Sequence, residues 1–210
     1  RRRAAVASRR LAALESATGA APPILQEYVD GTGCGFTTLY RHGELRAQFM
    51  HRRTAEYDVK DGTSPYSCPI AESIADPTLA AQSRRLFDAL EWHGLGMAEW
   101  RRERGTGRLV LMEVNARLVG STDLAVRSGV DLPVLAACLA RDGDVAPVLE
   151  YRTGVRLRWL LPDGLRDLLA RPHRLIEPAT YRSASDWSWR DPWPHWMQLR
   201  RIAWAVRHQR

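Results

Sequence analysis

The sequence predicts an α+β fold, a largely antiparallel sheet flanked by helices. Three observations carry this. Strand-like runs follow one another with short turn signals between them, and an acidic strand pair is separated only by Gly105-Thr106-Gly107. Two further segments have helical spacing, Pro77 to His93 and Leu132 to Arg141, ended by Gly94 and by Asp142-Gly143.

Taken in order, Ala4 to Ser16 carries Val6, Leu11 and Leu14 at helical spacing, and Thr18-Gly19 and Pro22-Pro23 stop it. Ile24 to Val29 and Phe36 to Tyr40 read as strands on either side of Gly31-Thr32-Gly33-Cys34-Gly35. His42-Gly43 then turns the chain into a third strand, Glu44 to His51, completing a meander. From Arg52 to Ala75 periodicity is lost around Asp61-Gly62-Thr63-Ser64-Pro65, which predicts a mobile loop on the substrate side. The helix from Pro77, with Leu79, Leu86, Leu90 and Trp92, leads to strands at Met97 to Arg102 and Leu109 to Asn115. Beyond Leu149 a strand is expected at Tyr151 to Leu161 and a short helix at Asp163 to Ala170. The tail holds Trp187, Trp189, Trp193, Trp196 and Trp204 among prolines and charges, and is expected to pack by aromatic burial. The organisation read from this is a helix and linker over 1–22, a central region over 23–149 and a Trp-rich extension over 150–210.

With 210 residues, 45% hydrophobic and 26% charged, the chain can bury one core, or a core with a smaller appendage. No run approaches the roughly 20 apolar residues of a membrane span, and RRRAAVASRRLAAL lacks the apolar segment of a secretory signal. A soluble, cytoplasmic protein is the expectation, with no membrane partner. Cys34, Cys68 and Cys138 form no CxxC pair and are odd in number, against a disulfide framework or structural zinc. The net charge of +7 is almost all arginine, Lys60 being the only lysine. The basic runs sit at the two ends with only Trp204 interleaved, a weak footprint for nucleic acid. Because the first residue is arginine, the chain is expected to be a fragment or a trimmed product.

The acidic hairpin carries the chemistry. With Thr106 in the middle of a three-residue loop, Arg104 faces Arg108 and Glu99 faces Glu113 directly. Glu113 and Asn115 then share one face with Leu109 and Leu111. Val110, Met112, Val114 and Ala116 share the other with Ala98 and Trp100, the core side. Like charges opposite each other on a sheet are destabilising, and a cation removes the conflict. Two carboxylates and an amide oxygen are donors of the kind magnesium accepts. The alternative from geometry alone is a solvated pair of glutamates with Arg101 beside them, or a register shifted by one.

Met112 to Ser121, MEVNARLVGS, resembles the segment of ATP-grasp enzymes in which an acidic residue, one spacer and an asparagine bind two metal ions. In carbamoyl-phosphate synthase and related ligases that segment ends in proline-arginine; here Ala116 replaces the proline and Arg117 keeps the arginine. The resemblance implies an earlier acidic ligand on the preceding strand, and Glu99 lies 14 residues before Glu113. It therefore assigns Glu99, Glu113 and Asn115 to magnesium, or to manganese in its place. Ile24 to Gly31, ILQEYVDG, is similar to the family's hinge strand and implies that Gln26, Glu27 and Val29 frame the adenine of ATP. The second acid that many members use for the ribose is replaced by Thr32-Gly33-Cys34-Gly35. That run lies between strands and opens no helix, so it is not a dinucleotide fingerprint.

His51-Arg52-Arg53 followed by Asp61-Gly62-Thr63-Ser64 resembles a section of ATP-grasp proteins of the carboxylate-amine ligase type. It implies that Arg53 faces the triphosphate or an acidic substrate, the alternative being a solvated side chain at a strand end. The resemblance covers Pro23 to Asp144 and implies the C-terminal portion of the ATP-grasp fold. Family members normally supply lysines before the hinge strand, and no lysine precedes Gln26.

The implied function is an ATP-dependent carboxylate-amine ligase that activates a carboxylate as an acyl phosphate with Mg-ATP. Arg117 and Arg53 are its candidate catalytic residues, and a small carboxylate and an amine its partners. One alternative is a truncated or degenerate module that binds nucleotide without turnover. A third is a basic interaction or nucleic-acid-binding protein. Neither the particular substrates nor an oligomeric state follows from the sequence.

Overall fold

The computed structural model describes residues 27–55, 70–159, 161, 184–185 and 187–208. At its centre β1 (Gly31–Arg41) and β2 (Glu44–Ala55) form a hairpin through His42-Gly43, whose φ values of 44° and 81° give a turn matched to strand twist. β3 (Ile70–Ser73), β4 (Gly94–Glu103), β5 (Leu109–Asn115), β6 (Arg156–Arg158) and β7 (Ala184–Ser185) complete a sheet in the order β5-β4-β1-β2-β3-β6-β7. Every pairing is antiparallel except that of β6 with β7. The α+β class with a largely antiparallel sheet is the observed one.

Helices cover both faces. α1 (Pro77–Ala89) starts where the Asp76 carboxylate accepts the Leu79 N–H at 3.0 Å, with proline at the first helical position. Its Leu79 and Phe87 pack on Cys34, Phe36, Tyr40, Met50, Ala98 and Trp100. α2 (Thr122–Ser128) and α3 (Leu132–Asp142) end at Gly129 and Gly143, both left-handed. They bring Leu124, Leu132 and Leu139 onto Leu39, Ala47, Phe49, Ala71 and Leu157 on the opposite face. Strand alternation accounts for the division: even positions of β1 face α1, while odd positions face α2 and α3. Each fully buried Phe or Leu contributes roughly 1.5–3 kcal/mol, so the sheet is held from both sides.

Several expectations are corrected. The glycine-rich run is not a loop between strands but the first part of β1, and Glu27 to Val29 precede that strand. Close approach explains the glycines: a Cβ on Gly31 would lie 2.1 Å from the Arg102 carbonyl oxygen, and one on Gly35 2.4 Å from the His51 ring. The region expected as loop from Arg52 to Ala75 contains the end of β2 and all of β3; residues 56–69 lie outside the described residues. The α1 helix stops at Ala89, because Glu91 turns to a φ of 45° and starts the entry into β4. The expected strand from Tyr151 is confined to β6, whose pairing with β3 spans Arg156–Arg158. No helix was expected at Thr122–Ser128, where α2 forms.

The Trp-rich tail forms α4 (Trp193–His208), and its aromatic rings are not generally buried. Trp189, Trp193, Trp196 and Trp204 are exposed, with Trp193 stacked on Trp196 at 4.9 Å and Arg200 over the Trp196 ring. The helices expected at Ala4 to Ser16 and Asp163 to Ala170 lie outside the described residues. Among the described residues no helix is long and apolar enough to cross a membrane.

Candidate functional site

One transverse row of the sheet organises the site. Ser73 pairs with His51, His51 with Gly35, Gly35 with Glu99, and Glu99 with Glu113, across β3, β2, β1, β4 and β5. Paired residues share a face, so these side chains lie on the side of the sheet that carries α2 and α3. The same face supports a cavity of about 380 Å³ lined by Arg53, His51, Ala71, Met97, Glu99, Glu113, Asn115, Arg117 and the Val119-Gly120-Ser121 turn. Trp159 and Leu161 close one wall.

Glu99 and Glu113 are directly opposite, as the hairpin spacing predicted. The predicted loop is not observed. A bulge between Glu99 and Trp100 shifts the register, so that Trp100 pairs with Leu111 and Arg102 with Leu109. The extra residue moves Leu109 and Leu111 off the acidic face, and Leu109 packs with Trp100. Val114 remains 36% exposed, because β5 is an edge strand whose outer side α1 does not cover. The bulge leaves the carboxylate pair intact while clearing apolar side chains from beside it.

The charges are already engaged with one another. Arg53 Nη2 donates to Glu99 Oε1 at 2.5 Å, the two side chains being only 16% and 12% exposed. Asn115 Nδ2 donates to Glu113 Oε1 at 2.7 Å. Arg117 is exposed and donates to the Leu118 carbonyl at 3.2 Å. Arg101, expected beside Glu99, instead donates to the carbonyls of Val29 at 2.9 Å and Gly31 at 2.6 Å. Arg52 turns to the other face and pairs with Glu72 at 2.8 Å. Of the three consecutive basic residues only His51 and Arg53 reach the cavity.

Of the three residues expected to frame adenine, the two that are described stand apart from the cavity. Gln26 lies outside the described residues, Glu27 is exposed, and Val29 is buried with its carbonyl held by Arg101. Neither Glu27 nor Val29 lines the cavity.

Sequence reasoning assigned His51 no role. It is 3% exposed, and burial, followed by the nearby Arg53 charge, lowers its pKa from 6.5 to about 3, so the imidazole is neutral at pH 7. The signal for it was available: His51 and Arg53 are two apart on a strand and so share a face. Trp159 and Leu161 carried no such signal, since their place depends on how the chain returns after α3.

The donor set suits a hard cation. Magnesium is commonly bound through one or two carboxylates, with water and phosphate filling the other positions. Two facing carboxylates and an amide fit that, and a half-turn of the Asn115 amide exchanges Nδ2 for Oδ1. Among the described residues no group of three or more His, Cys, Asp or Glu side chains gathers as a metal site.

Residues 21–161 match the model of a family described as ATP-grasp in the biosynthetic pathway with Ter operon. The chain belongs to this ATP-grasp family. Solved structures share its fold at low identity. The biotin carboxylase domain of a thermophilic 2-oxoglutarate carboxylase, bound to bicarbonate, is 13% identical, with a TM-score of 0.53 over 70% of this chain and 34% of that one. The same domain from Hydrogenobacter thermophilus, in complex with MgADP, ADP and bicarbonate, is 14% identical, with a TM-score of 0.53 over 71% and 34%. The biotin carboxylase of Campylobacter jejuni, in a βγ-ATP complex, is 17% identical, with a TM-score of 0.52 over 68% and 32%. This ATP-grasp chain thus spans about a third of the length of each of these structures. No curated protein matches it in sequence.

Proposed function

We propose that this ATP-grasp chain carries the metal- and phosphate-binding part of an ATP-dependent carboxylate-amine ligase, in which a carboxylate is activated as an acyl phosphate. The observation that carries this reading is the direct pairing of Glu99 with Glu113 at the edge of a cavity that also holds Asn115, Arg53 and Arg117. Glu99, Glu113 and Asn115 hold magnesium. When bound, the metal supplies positive charge to the phosphate oxygens.

The chain's own groups then divide the work. Arg117, exposed on the turn after β5, donates to anionic oxygens entering from solvent. Arg53 holds Glu99 in place before anything binds and offers its guanidinium to an anion once that pairing is exchanged. The row of paired strand positions fixes the spacing of these groups, so that catalysis rests on positioning.

A second reading is a module that binds nucleotide without turnover. It is favoured by the absence of lysine from the cavity lining among the described residues, the chain's single lysine being Lys60. ADP release from Mg-ATP, measured with mixed carboxylates and amines for this chain and for a version extended upstream, separates the two. Carboxylate-dependent release in either supports the ligase. Magnesium-dependent binding with no release in both supports the second reading, and no binding in either overturns both.

A further inference from the structure

α4 is inverted relative to an ordinary surface helix. His195, Gln198 and Ile202 follow one another at helical spacing on its inner side, His195 buried against Trp187 with ring centroids 4.8 Å apart and the other two half-buried. Trp193, Trp196, Met197, Arg200, Trp204 and Arg207 stand at helical spacing along the opposite side, and all six are exposed. A surface helix normally turns its apolar side inward, so an aromatic stripe left outside marks a site of contact.

Charge decides the kind of partner. From Pro192 to Arg210 the sequence holds Arg200, Arg201, Arg207 and Arg210 and no acidic residue, which calls for an anion. A second copy is a poor fit, since pairing the stripes would set arginine against arginine with no carboxylate between them. A helix lying on an anionic bilayer separates its arginines and its aromatic rings onto different faces. Here Arg200 stands between Trp196 and Trp204 on the stripe itself, its guanidinium 4.9 Å over the Trp196 ring. Rings and positive charges alternating along one line match a ligand in which flat rings and phosphates alternate. Beside the stripe an apolar slot of about 310 Å³, lined by Trp187, Pro192, Trp193, Trp196 and Leu199, has the flat walls that receive a planar ring.

We propose that α4 binds single-stranded nucleic acid, the bases stacking on Trp193, Trp196 and Trp204 and the phosphates meeting Arg200 and Arg207. At about 1.5 Å per residue the stripe runs about 21 Å from Trp193 to Arg207, the scale of the smallest single-strand sites, about four nucleotides. In the linear sequence only Trp204 lies among the arginines; the winding of the helix brings Trp193 and Trp196 onto the same side. Neither the metal site nor ATP takes part.

The test is fluorescence anisotropy of labelled oligothymidylate and oligouridylate with the full chain, beside an abasic strand of equal length that keeps the phosphates and lacks the bases. Expected is binding of at least one of the two, at least tenfold tighter than the abasic strand; which of them binds distinguishes DNA from RNA. Trp204→Ala weakens it at least fivefold, whereas Trp204→Phe, which keeps a ring, stays within threefold of the parent. Arg200→Gln lowers the slope of log affinity against log salt by about 0.7. Trp204 is 64% exposed, so its variants are expected to melt with the parent; if Trp204→Ala melts lower, Trp193→Ala is read in its place. An abasic strand bound as tightly, or an affinity unaltered by loss of the ring, overturns the proposal. So does absence of strand binding, whether the chain then sediments with phosphatidylglycerol vesicles, forms a dimer that Trp204→Ala abolishes, or does neither.

Discussion

Arg53 crosses over β1 to place Nη2 2.5 Å from Oε1 of Glu99, joining two strands that have no pairing with each other. The crossing is open because Gly33 and Gly35 present no side chain on that face of β1. The guanidinium pairs with one of the two facing carboxylates, so on the proposed reading it competes with a metal ion for Glu99.

Arg53→Met should therefore tighten the binding of Mn²⁺ in the absence of nucleotide, at least threefold by electron paramagnetic resonance titration, while weakening Mg-ATP. Glu99→Gln in the same background should cancel the gain. Unchanged Mn²⁺ affinity in Arg53→Met would separate the ion pair from the metal site.

Gly35→Ala tests the close packing beneath the cavity. Its Cβ would meet the His51 ring at 2.4 Å and the Met97 methyl at 2.8 Å, and the ring is packed on Phe49. Overpacking of this kind costs about 1–3 kcal/mol, to be read from urea unfolding. A loss below about 0.5 kcal/mol would mean that the ring moves aside freely.

Much of the fold was legible because its signals are local. His42-Gly43 needs positive φ at two successive residues, and Pro77 with Asp76 sets a helix start; both are written in a few adjacent letters. The facing of Glu99 and Glu113 was legible from spacing, but the bulge beside it was not. A bulge depends on how Trp100 and Leu109 settle on the α1 core, which no count of residues contains. β3 was missed because four residues carry too little pattern, and its neighbours β2 and β6 are far away in sequence. The exposed tryptophans of α4 misled for the opposite reason: composition implied burial where the helix leaves them at the surface.

The buried histidine makes stability depend on pH. His51 stands at about 3 in the folded chain against 6.5 when unperturbed, first through burial and then through Arg53. The unfolded chain therefore takes up a proton that the folded chain does not. The contribution is complete above about pH 6.5 and is lost as pH falls toward about 3, by up to roughly 1.4 kcal/mol per unit. Between about pH 7 and about pH 5, His51→Gln should reduce the loss of unfolding free energy by roughly 1–2 kcal/mol. An unaltered slope would mean that the ring is protonated in the folded state.

The most direct test is magnesium-dependent ATP binding by Glu113→Gln, measured by calorimetry beside the unaltered chain. Glu113 is exposed on an edge strand, so its replacement leaves the core untouched and the variant is expected to melt with the parent. The Glu99–Glu113 site predicts that the magnesium-dependent part of the binding is lost in this folded variant. Binding that keeps its full magnesium dependence would contradict it and remove Glu113 from the metal site.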